Sequence, residues 1–180
     1  GTSAKYYIEK GGVYNDITPI RGTATLTNPF TATNGSAIIT VADVAHGCED
    51  GDFVTFSGAT GLGGNITSTV LNAEYQVTVI DADSYTITAT ATANATDAAG
   101  SPGGGTVTAA YQLNVGNAFQ VPLSGWGGGA WGLGPWGIGA TTIETLRVWN
   151  NQNFGEDLVF GPKGGGIYYW DVTSGLGARG

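Results

Sequence analysis

The chain has 180 residues, enough for one ordinary domain or two small ones; only 11% of them are charged, and 32 are glycine. Stretches rich in Leu, Lys and Glu are absent, so the composition excludes a mainly helical fold and favours short strands joined by tight turns. The formal net charge of −8 argues against a nucleic-acid or membrane-surface partner, and no apolar run reaches the roughly 18 residues of a membrane span.

The charges are distributed unevenly along the chain. No Lys or Arg lies between Gly22 and Leu146, and this interval carries nine acidic residues. Outside it, six cations stand against five acids, a net charge of +1. We therefore expect an anionic middle region that repels phosphate backbones and anionic lipids. The sequence predicts no membrane partner and no sequence-specific nucleic-acid binding.

The N-terminal third predicts strands joined by turns. Residues 4–20 contain two short strand signals around Gly11 and Gly12, followed by turn residues before Pro19. From residue 22 onwards, Thr, Val and Ile alternate with Gly, Asn and Asp. We expect eight apolar residues of this stretch to form a core: Phe30, Ile38, Ile39, Val41, Val44, Phe53, Val54 and Phe56.

Residues 74–90 predict the clearest hairpin of the chain. Two strands, Glu74 to Ile80 and Ser84 to Thr90, are joined by Asp-Ala-Asp. Because strand side chains alternate between faces, Tyr85 and Ile87 lie on the face opposite the threonines. Residues 93–107, rich in Ala, Gly, Ser and Pro, predict a linker, and a strand signal resumes from Thr106 to Val115.

A glycine-rich segment follows, in which Trp126, Trp131 and Trp136 are five residues apart. Ordering glycine costs the most backbone entropy, so such a segment keeps one shape only if something fixes it. Burial of an indole stabilises by a few kcal/mol at about 25 cal/mol per Å². We therefore favour packing, within the chain or against another subunit, over stacking on sugars. Three further strands are predicted: Leu146 to Trp149, Asp157 to Phe160 and Ile167 to Val172.

Candidate chemical residues cluster only in residues 43–52. His46 and Cys48 are the single His and Cys of the chain, too few for a zinc site or for a nucleophile with a base. We expect a turn with solvated acids, and no metal, no cofactor and no catalytic residues. A surface calcium ion is the alternative, since it requires oxygen ligands. Its candidate ligands form two groups: Glu49, Asp50 and Asp52, or Asp81 and Asp83.

Three motifs resemble a family of virion structural proteins of tailed bacteriophages. They are VYNDITPIR near the start, GWGGGAWG with GPWG in the middle, and LRVWNNQNFGEDLVFGPKGGGIYYWD near the end. The middle region resembles a β module often inserted in that family. That module is in turn similar in fold to the first catalytic-cysteine half-domain of ubiquitin-activating enzymes, without ubiquitin chemistry.

The resemblance implies an all-β structural part of a phage tail, such as a nozzle, baseplate or adaptor, located in the virion and extracellular when released. It implies that copies of the chain assemble into a symmetric homo-oligomer and that other phage tail proteins are further partners. It implies no enzyme activity. It also implies a chain that continues beyond residue 180, with the last hairpin as the start of a propeller. The alternative is a carbohydrate-binding module for a host-surface glycan that uses the three glycine-flanked tryptophans.

The predicted fold class is thus all-β: an antiparallel scaffold that carries an inserted sandwich or barrel. Residues 1–29 form the first part of the scaffold, residues 30–113 the inserted acidic module, and residues 114–180 the second part. Copies are expected to pack through aromatic residues of the scaffold. The interface candidates are Trp126, Trp131, Trp136, Trp149, Tyr168, Tyr169 and Trp170.

Overall fold

The computed structural model describes residues 1–94, 102–118 and 146–180. The chain forms two compact units, which we call the scaffold unit (Gly1–Thr18 with Gly116–Gly180) and the inserted unit (Pro19–Val115). The described residues contain thirteen strands, one short α-helix, Ser68–Leu71, and one 3-10 helix, Val172–Ser174. The predicted all-β class is confirmed.

The strands are numbered in chain order. Those of the scaffold unit are β1 (Tyr7–Lys10), β2 (Val13–Asp16), β11 (Trp149–Phe154), β12 (Asp157–Pro162) and β13 (Tyr168–Trp170). Those of the inserted unit are β3 (Ile20–Thr27), β4 (Phe30–Ala32), β5 (Ile38–Ala42), β6 (Phe53–Ser57), β7 (Glu74–Gln76), β8 (Thr78–Asp81), β9 (Ser84–Thr88) and β10 (Thr106–Gln112).

The inserted unit is a sandwich of two four-stranded antiparallel sheets, ordered β3-β10-β6-β7 and β4-β5-β9-β8. One continuous hydrophobic core takes residues from both sheets, such as Phe56 from the first and Tyr85 from the second. Side chains alternate along each strand, so the faces turned away from this core carry mainly hydroxyls. In the second sheet four threonines lie side by side across the strands: Thr31, Thr40, Thr86 and Thr78.

The sequence assigns residues 1–29 to the scaffold, whereas β3 lies in the inserted unit. The reason is long-range pairing: β3 forms an antiparallel ladder with β10, from Thr27 opposite Thr106 to Ile20 opposite Gln112. The sequence between 20 and 27 looks like any other Thr-rich strand, so its partner could not be recognised from local pattern.

The predicted strand Glu74 to Ile80 is divided between the two sheets of the inserted unit. β7 pairs with β6 in one sheet, and β8 pairs with β9 in the other. Val77 lies at the crossing point, where its N–H donates to the Asp52 carbonyl at 2.8 Å and its own carbonyl accepts from the Gly51 N–H at 2.9 Å. These two hydrogen bonds replace the strand-to-strand hydrogen bonds that are lost where the chain passes from one sheet to the other.

The predicted core is confirmed for Phe30, Ile39, Val41, Val54 and Phe56, each at most 1% exposed. It is wrong for Ile38 and Val44, which are 54% and 79% exposed, and Phe53 is only half-buried. Ile38 and Ile39 are adjacent in one strand and so point to opposite faces. Val44 lies in the loop after β5, beyond the last core-facing position.

The scaffold unit contains the two-stranded sheet β1-β2 and the three-stranded antiparallel sheet β11-β12-β13. The predicted strand Leu146 to Trp149 is wrong, because β11 starts at Trp149 and runs through four amide residues to Phe154. Asn and Gln have low intrinsic preference for strands, but pairing of all six residues with β12 overrides it.

Candidate assembly site

The predicted interface residues fall into two groups. Trp126, Trp131 and Trp136 lie outside the described residues. Trp149, Tyr168, Tyr169 and Trp170 lie on the three-stranded sheet of the scaffold unit. The two faces of this sheet place these four side chains in different surroundings.

The inner face of the sheet packs on the small core of the scaffold unit. In this core Tyr6 stacks on Phe160 with ring centroids 4.8 Å apart, and Trp149 lies 4.9 Å from Tyr6. The Trp149 Nε1–H donates to the Thr2 carbonyl at 2.8 Å. Trp170 is 5% exposed and belongs to the same core. Both described tryptophans therefore act as packing residues of their own unit.

The outer face of the same sheet presents aromatic rings to solvent. Tyr169 is 50% exposed and lies opposite Val159, while Phe154, opposite Asp157, is 69% exposed. The Tyr169 hydroxyl donates to the Asp157 carboxylate. This hydrogen bond raises the pKa of Tyr169 to about 12 and is the main reason that the pKa of Asp157 is lowered.

We call Phe154, Val159 and Tyr169 the outer aromatic face. Tyr169 was predicted to be an interface residue, and Phe154 was missed. The signal was present: in a strand that starts at Trp149, residue 154 falls on the face opposite the indole. It was missed because the predicted strand ended at Trp149.

Asp16 joins distant parts of the scaffold unit. Its carboxylate lies 2.9 Å from the Lys5 Nζ and 2.5 Å from the Arg179 guanidinium. The Thr18 hydroxyl and N–H donate to it at 2.6 and 2.9 Å. Burial raises the pKa of Asp16, but the donors from Thr18, Lys5 and Arg179 together outweigh burial, and the pKa is lowered.

The inserted unit holds His46 and Cys48, which the sequence analysis considered for metal binding or catalysis and rejected. The His46 ring is buried and edge-on to the Tyr85 ring at 5.0 Å. Its Nδ1 accepts from the Cys48 N–H at 3.0 Å, so Nε2 carries the proton and donates to the Asp81 carbonyl at 2.9 Å. Both ring nitrogens are occupied by backbone groups, which leaves neither for a metal or for a thiol.

Cys48 is a protonated thiol in this environment. Burial raises its pKa to about 11, although Arg21, which donates to Sγ at 3.1 Å, opposes that rise. The same guanidinium donates to the His46 carbonyl at 2.9 Å and lies over the Tyr111 ring at 5.1 Å. The thiolate is the nucleophilic form of cysteine, so this geometry does not prepare Cys48 for attack.

The loop is a turn in which Glu49 and Asp50 are exposed, as predicted, whereas Asp43 and Asp52 are buried and so differ from the predicted solvated acids. The Asp50 carboxylate accepts from the Val79 N–H at 2.7 Å, and Asp52, only 1% exposed, accepts from Glu49 and Val115 at 2.9 and 2.7 Å. Asp83 accepts from Ala45 at 3.0 Å. Across residues 1–94, 102–118 and 146–180, no group of three or more His, Cys, Asp or Glu side chains is arranged to hold a metal ion.

A buried chain of hydroxyls lies beside this loop. Tyr85 and Tyr111 hydroxyls are 2.9 Å apart, and Tyr111 donates to Asp43, a carboxylate that is 7% exposed. Burial raises the pKa of both tyrosines. Each of these three buried side chains thus has a partner, and the network fastens β9 and β10 to the loop after β5.

Two of the three comparisons with known proteins find no match. No family model matches the chain, and no curated protein matches it. The predicted likeness to the ubiquitin-activating half-domain therefore finds no support in them. Among the described residues, none of the helices has the length and hydropathy needed to cross a bilayer.

One solved structure to which the chain is similar is the "Phage phi92 endosialidase". The two share 23% identity over a match that covers 53% of this chain and 13% of that chain, with a TM-score of 0.40. The protein so named is a phage protein, but at this TM-score the likeness carries no argument about fold or function.

Proposed function

We propose that this chain is a structural component of a tailed-phage virion that self-assembles in the tail, as part of a nozzle, baseplate or adaptor. Copies pack through the outer aromatic face of the scaffold unit. The proposal rests on the motif resemblance and on one observation, the uneven distribution of exposed apolar side chains.

That distribution separates the two units. Among the described residues, the exposed aromatic ones are Tyr14, Phe154 and Tyr169, and all three belong to the scaffold unit. Phe154 and Tyr169 share one face of one sheet. Contiguous exposed apolar surface is typical of protein interfaces, where aromatic residues are enriched.

The charges support the same assignment. The inserted unit has eight acids against one cation, a net charge of −7, whereas the scaffold unit has six acids against five cations, a net charge of −1. Inserted units of neighbouring copies repel each other, and scaffold units do so only weakly. Self-association is therefore least opposed at the scaffold unit.

We propose a building block rather than an enzyme. The His46 ring nitrogens are bonded to backbone, and burial keeps Cys48 as a thiol. Asp50 and Asp52 of the same loop accept from backbone N–H groups. These contacts give the loop a structural role and supply no activated nucleophile or general base.

Mass spectrometry and electron microscopy of purified phage particles test this function. We expect the chain, or a longer protein that contains it, in many copies per particle, and an antibody against it to label the tail. Absence from purified particles, or turnover of a substrate by the purified chain, would contradict the proposal.

One groove favours a second candidate, glycan binding. An open groove of about 540 Å³ in the scaffold unit is lined by Gly1, Thr2, Tyr7, Glu9 and Tyr14. The Tyr7 and Tyr14 rings meet edge-on at 6.4 Å, and Tyr14 is 73% exposed. Aromatic faces beside a carboxylate suit sugar rings and their hydroxyls. Calorimetry with host-surface glycans tests it: binding that Tyr14→Ala abolishes would support it, and no binding would refute it.

A further inference from the structure

The groove of the scaffold unit lies on one face of the β1-β2 hairpin. Glu9 lies directly opposite Tyr14 in the antiparallel register, and Tyr7 lies two residues before Glu9 on the same strand. Alternate residues of a strand share a face, and the Cβ atoms of directly opposed residues are about 5 Å apart. The two rings and the carboxylate therefore converge on one side of the hairpin, where Gly1 and Thr2 complete the lining.

The turn of this hairpin fixes the position of the carboxylate. Gly11 and Gly12 have φ of 63° and 84°, as the two central residues of a tight two-residue hairpin turn require. The Gly12 N–H donates to Glu9 Oε1 at 2.5 Å. Glu9 is nevertheless exposed, and its second oxygen has no hydrogen-bond partner among the described residues. One oxygen is thus held by the turn, and the other remains for a ligand.

The charge of the groove is negative. Glu9 is the one charged side chain among its lining residues, and it forms no ion pair with any described residue, the Gly1 amino group included. Lys5 contacts Asp16 at 2.9 Å instead, and Lys10, the neighbour of Glu9 in β1, points to the opposite face of the strand. The groove therefore attracts a cation and repels an anion.

The two phenol rings add further contacts for a cationic ligand. Tyr7 and Tyr14 meet with their ring planes at 78°, an edge-on arrangement that occupies only one of the four ring faces. A cation within about 6 Å of a ring centroid is attracted by the ring face. Because Glu9 lies directly across from Tyr14, one ammonium group can contact both. Neither phenol hydroxyl has a hydrogen-bond partner among the described residues, so both can bind ligand hydroxyls.

We propose that this groove binds an amino sugar, a hexosamine whose amino group carries no acetyl, with its ammonium group between the Tyr14 ring and the Glu9 carboxylate. The inference deepens the glycan-binding candidate and rests on it, since it names the class of glycan. Neutral and acidic sugars lack the group that the carboxylate attracts. A lysine side chain carries the same ammonium group, but its apolar stem offers nothing to the two phenol hydroxyls.

Calorimetry of the full chain with three oligosaccharides tests the proposed class. They are a glucosamine tetramer, the same tetramer with every amine acetylated, and a sialylated oligosaccharide, in a buffer that keeps the amines protonated. Acetylation removes the positive charge and keeps the sugar rings. We expect the amine tetramer to bind at least about tenfold more tightly than its acetylated form, and the sialylated sugar not to bind. Equal affinity for the two tetramers, or tighter binding of the sialylated sugar, would overturn the inference.

A charge-removing variant tests the role of the carboxylate. Glu9→Gln keeps an acceptor oxygen for the Gly12 N–H and removes the charge. We expect it to lose the roughly tenfold preference for the amine tetramer while its affinity for the acetylated tetramer stays unchanged. Glu156→Gln, at an exposed carboxylate of the same unit outside the groove, is the matched control and should bind like the wild type. A Glu9→Gln variant that keeps the preference, or a Glu156→Gln variant that loses it equally, would contradict the proposal.

Tetralysine separates an amino sugar from a basic peptide. It offers four ammonium groups without sugar hydroxyls. We expect it to bind at least about tenfold more weakly than the glucosamine tetramer at about 0.15 M salt, where long-range attraction is screened. Binding of tetralysine as tight as that of the glucosamine tetramer would assign the groove to basic peptides and overturn the inference.

The levels of the account fail separately. If the acetylated tetramer binds and the amine tetramer gains nothing, the glycan-binding candidate stands and the amino-sugar inference fails. If no oligosaccharide binds, both fail, and the virion function, which is tested on particles, is unaffected.

Discussion

The inserted unit and the scaffold unit reach an ordered β structure in different ways. The inserted unit buries a continuous cluster of twenty hydrophobic residues between two sheets. In the described part of the scaffold unit the corresponding cluster has four residues, Tyr6, Ile17, Phe160 and Trp170. A large core with a hydroxyl-covered surface makes a self-sufficient module, whereas exposed aromatic rings suit a unit to partners.

The largest expected effect tests the core of the inserted unit. Phe56 is 1% exposed and meets Phe30 edge-on at 5.0 Å. Phe56→Ala should lower the free energy of unfolding by about 3 to 5 kcal/mol, because it removes buried area and leaves a cavity. Urea denaturation followed by circular dichroism measures it. Phe154→Ala is the exposed control. If the two variants lost the same free energy of unfolding, the difference drawn between the two units would be wrong.

Thiol labelling tests how well the inserted unit protects Cys48. Because burial raises the thiol pKa to about 11, the thiolate fraction near neutral pH is small. We expect a thiol reagent to react about a hundredfold more slowly with the native chain than with the urea-unfolded chain. The rate should rise with pH up to that pKa. Native and unfolded rates of equal size would show that the loop does not bury the sulfur.

The buried hydroxyl network should contribute less. Tyr111→Phe removes the donor to Asp43 and the partner of the Tyr85 hydroxyl. Leaving a buried carboxylate without its donor should cost about 1 to 3 kcal/mol of unfolding free energy. Tyr169→Phe removes a similar bond to Asp157 on an exposed face, and we expect it to leave the free energy of unfolding almost unchanged.

The smallest effect concerns acid stability of the scaffold unit. The pKa of Asp16 is lowered in the folded chain, so its stabilising contribution is present above the usual carboxyl pKa and is lost as pH falls through the lowered value. All five tryptophans belong to this unit, so their fluorescence reports its unfolding.

Asp16→Asn should therefore reduce stability near neutral pH by about 1 kcal/mol or less, since such ion pairs are partly exposed. It should also flatten the dependence on pH in the acid range. Glu156→Gln serves as an exposed control on the same unit. A wild-type acid transition that Asp16→Asn leaves unchanged would show that Asp16 does not link these segments.

The local sequence pattern predicted the features that depend on neighbouring residues. Alternation identified the β8-β9 hairpin, because a strand with one buried face must alternate, but the predicted core did not separate the buried Ile39 from the exposed Ile38. The fold class followed from composition. Among the interface candidates, the sequence could not separate the exposed Tyr169 from the buried Trp170, because adjacent residues of a strand occupy opposite faces.

The remaining features, which the sequence did not predict, depend on pairing between segments that are distant in the chain. β11 consists mainly of amides and is a strand because β12 lies beside it, and β7 separates from β8 because they join different sheets. The roles of the acids in residues 43–52 were also hidden. Their acceptor positions depend on Val79 and Val115, far away in sequence.

The most direct test of the central claim, self-association through the outer aromatic face, is sedimentation velocity of the full chain over a range of concentrations. The wild type should associate, and Phe154→Asp should sediment as a monomer. Val44→Asp, at an apolar residue of the inserted unit that is 79% exposed against 69% for Phe154, should associate like the wild type. A wild type that is monomeric at every concentration, or a Phe154→Asp variant that associates as well as Val44→Asp, would contradict the account.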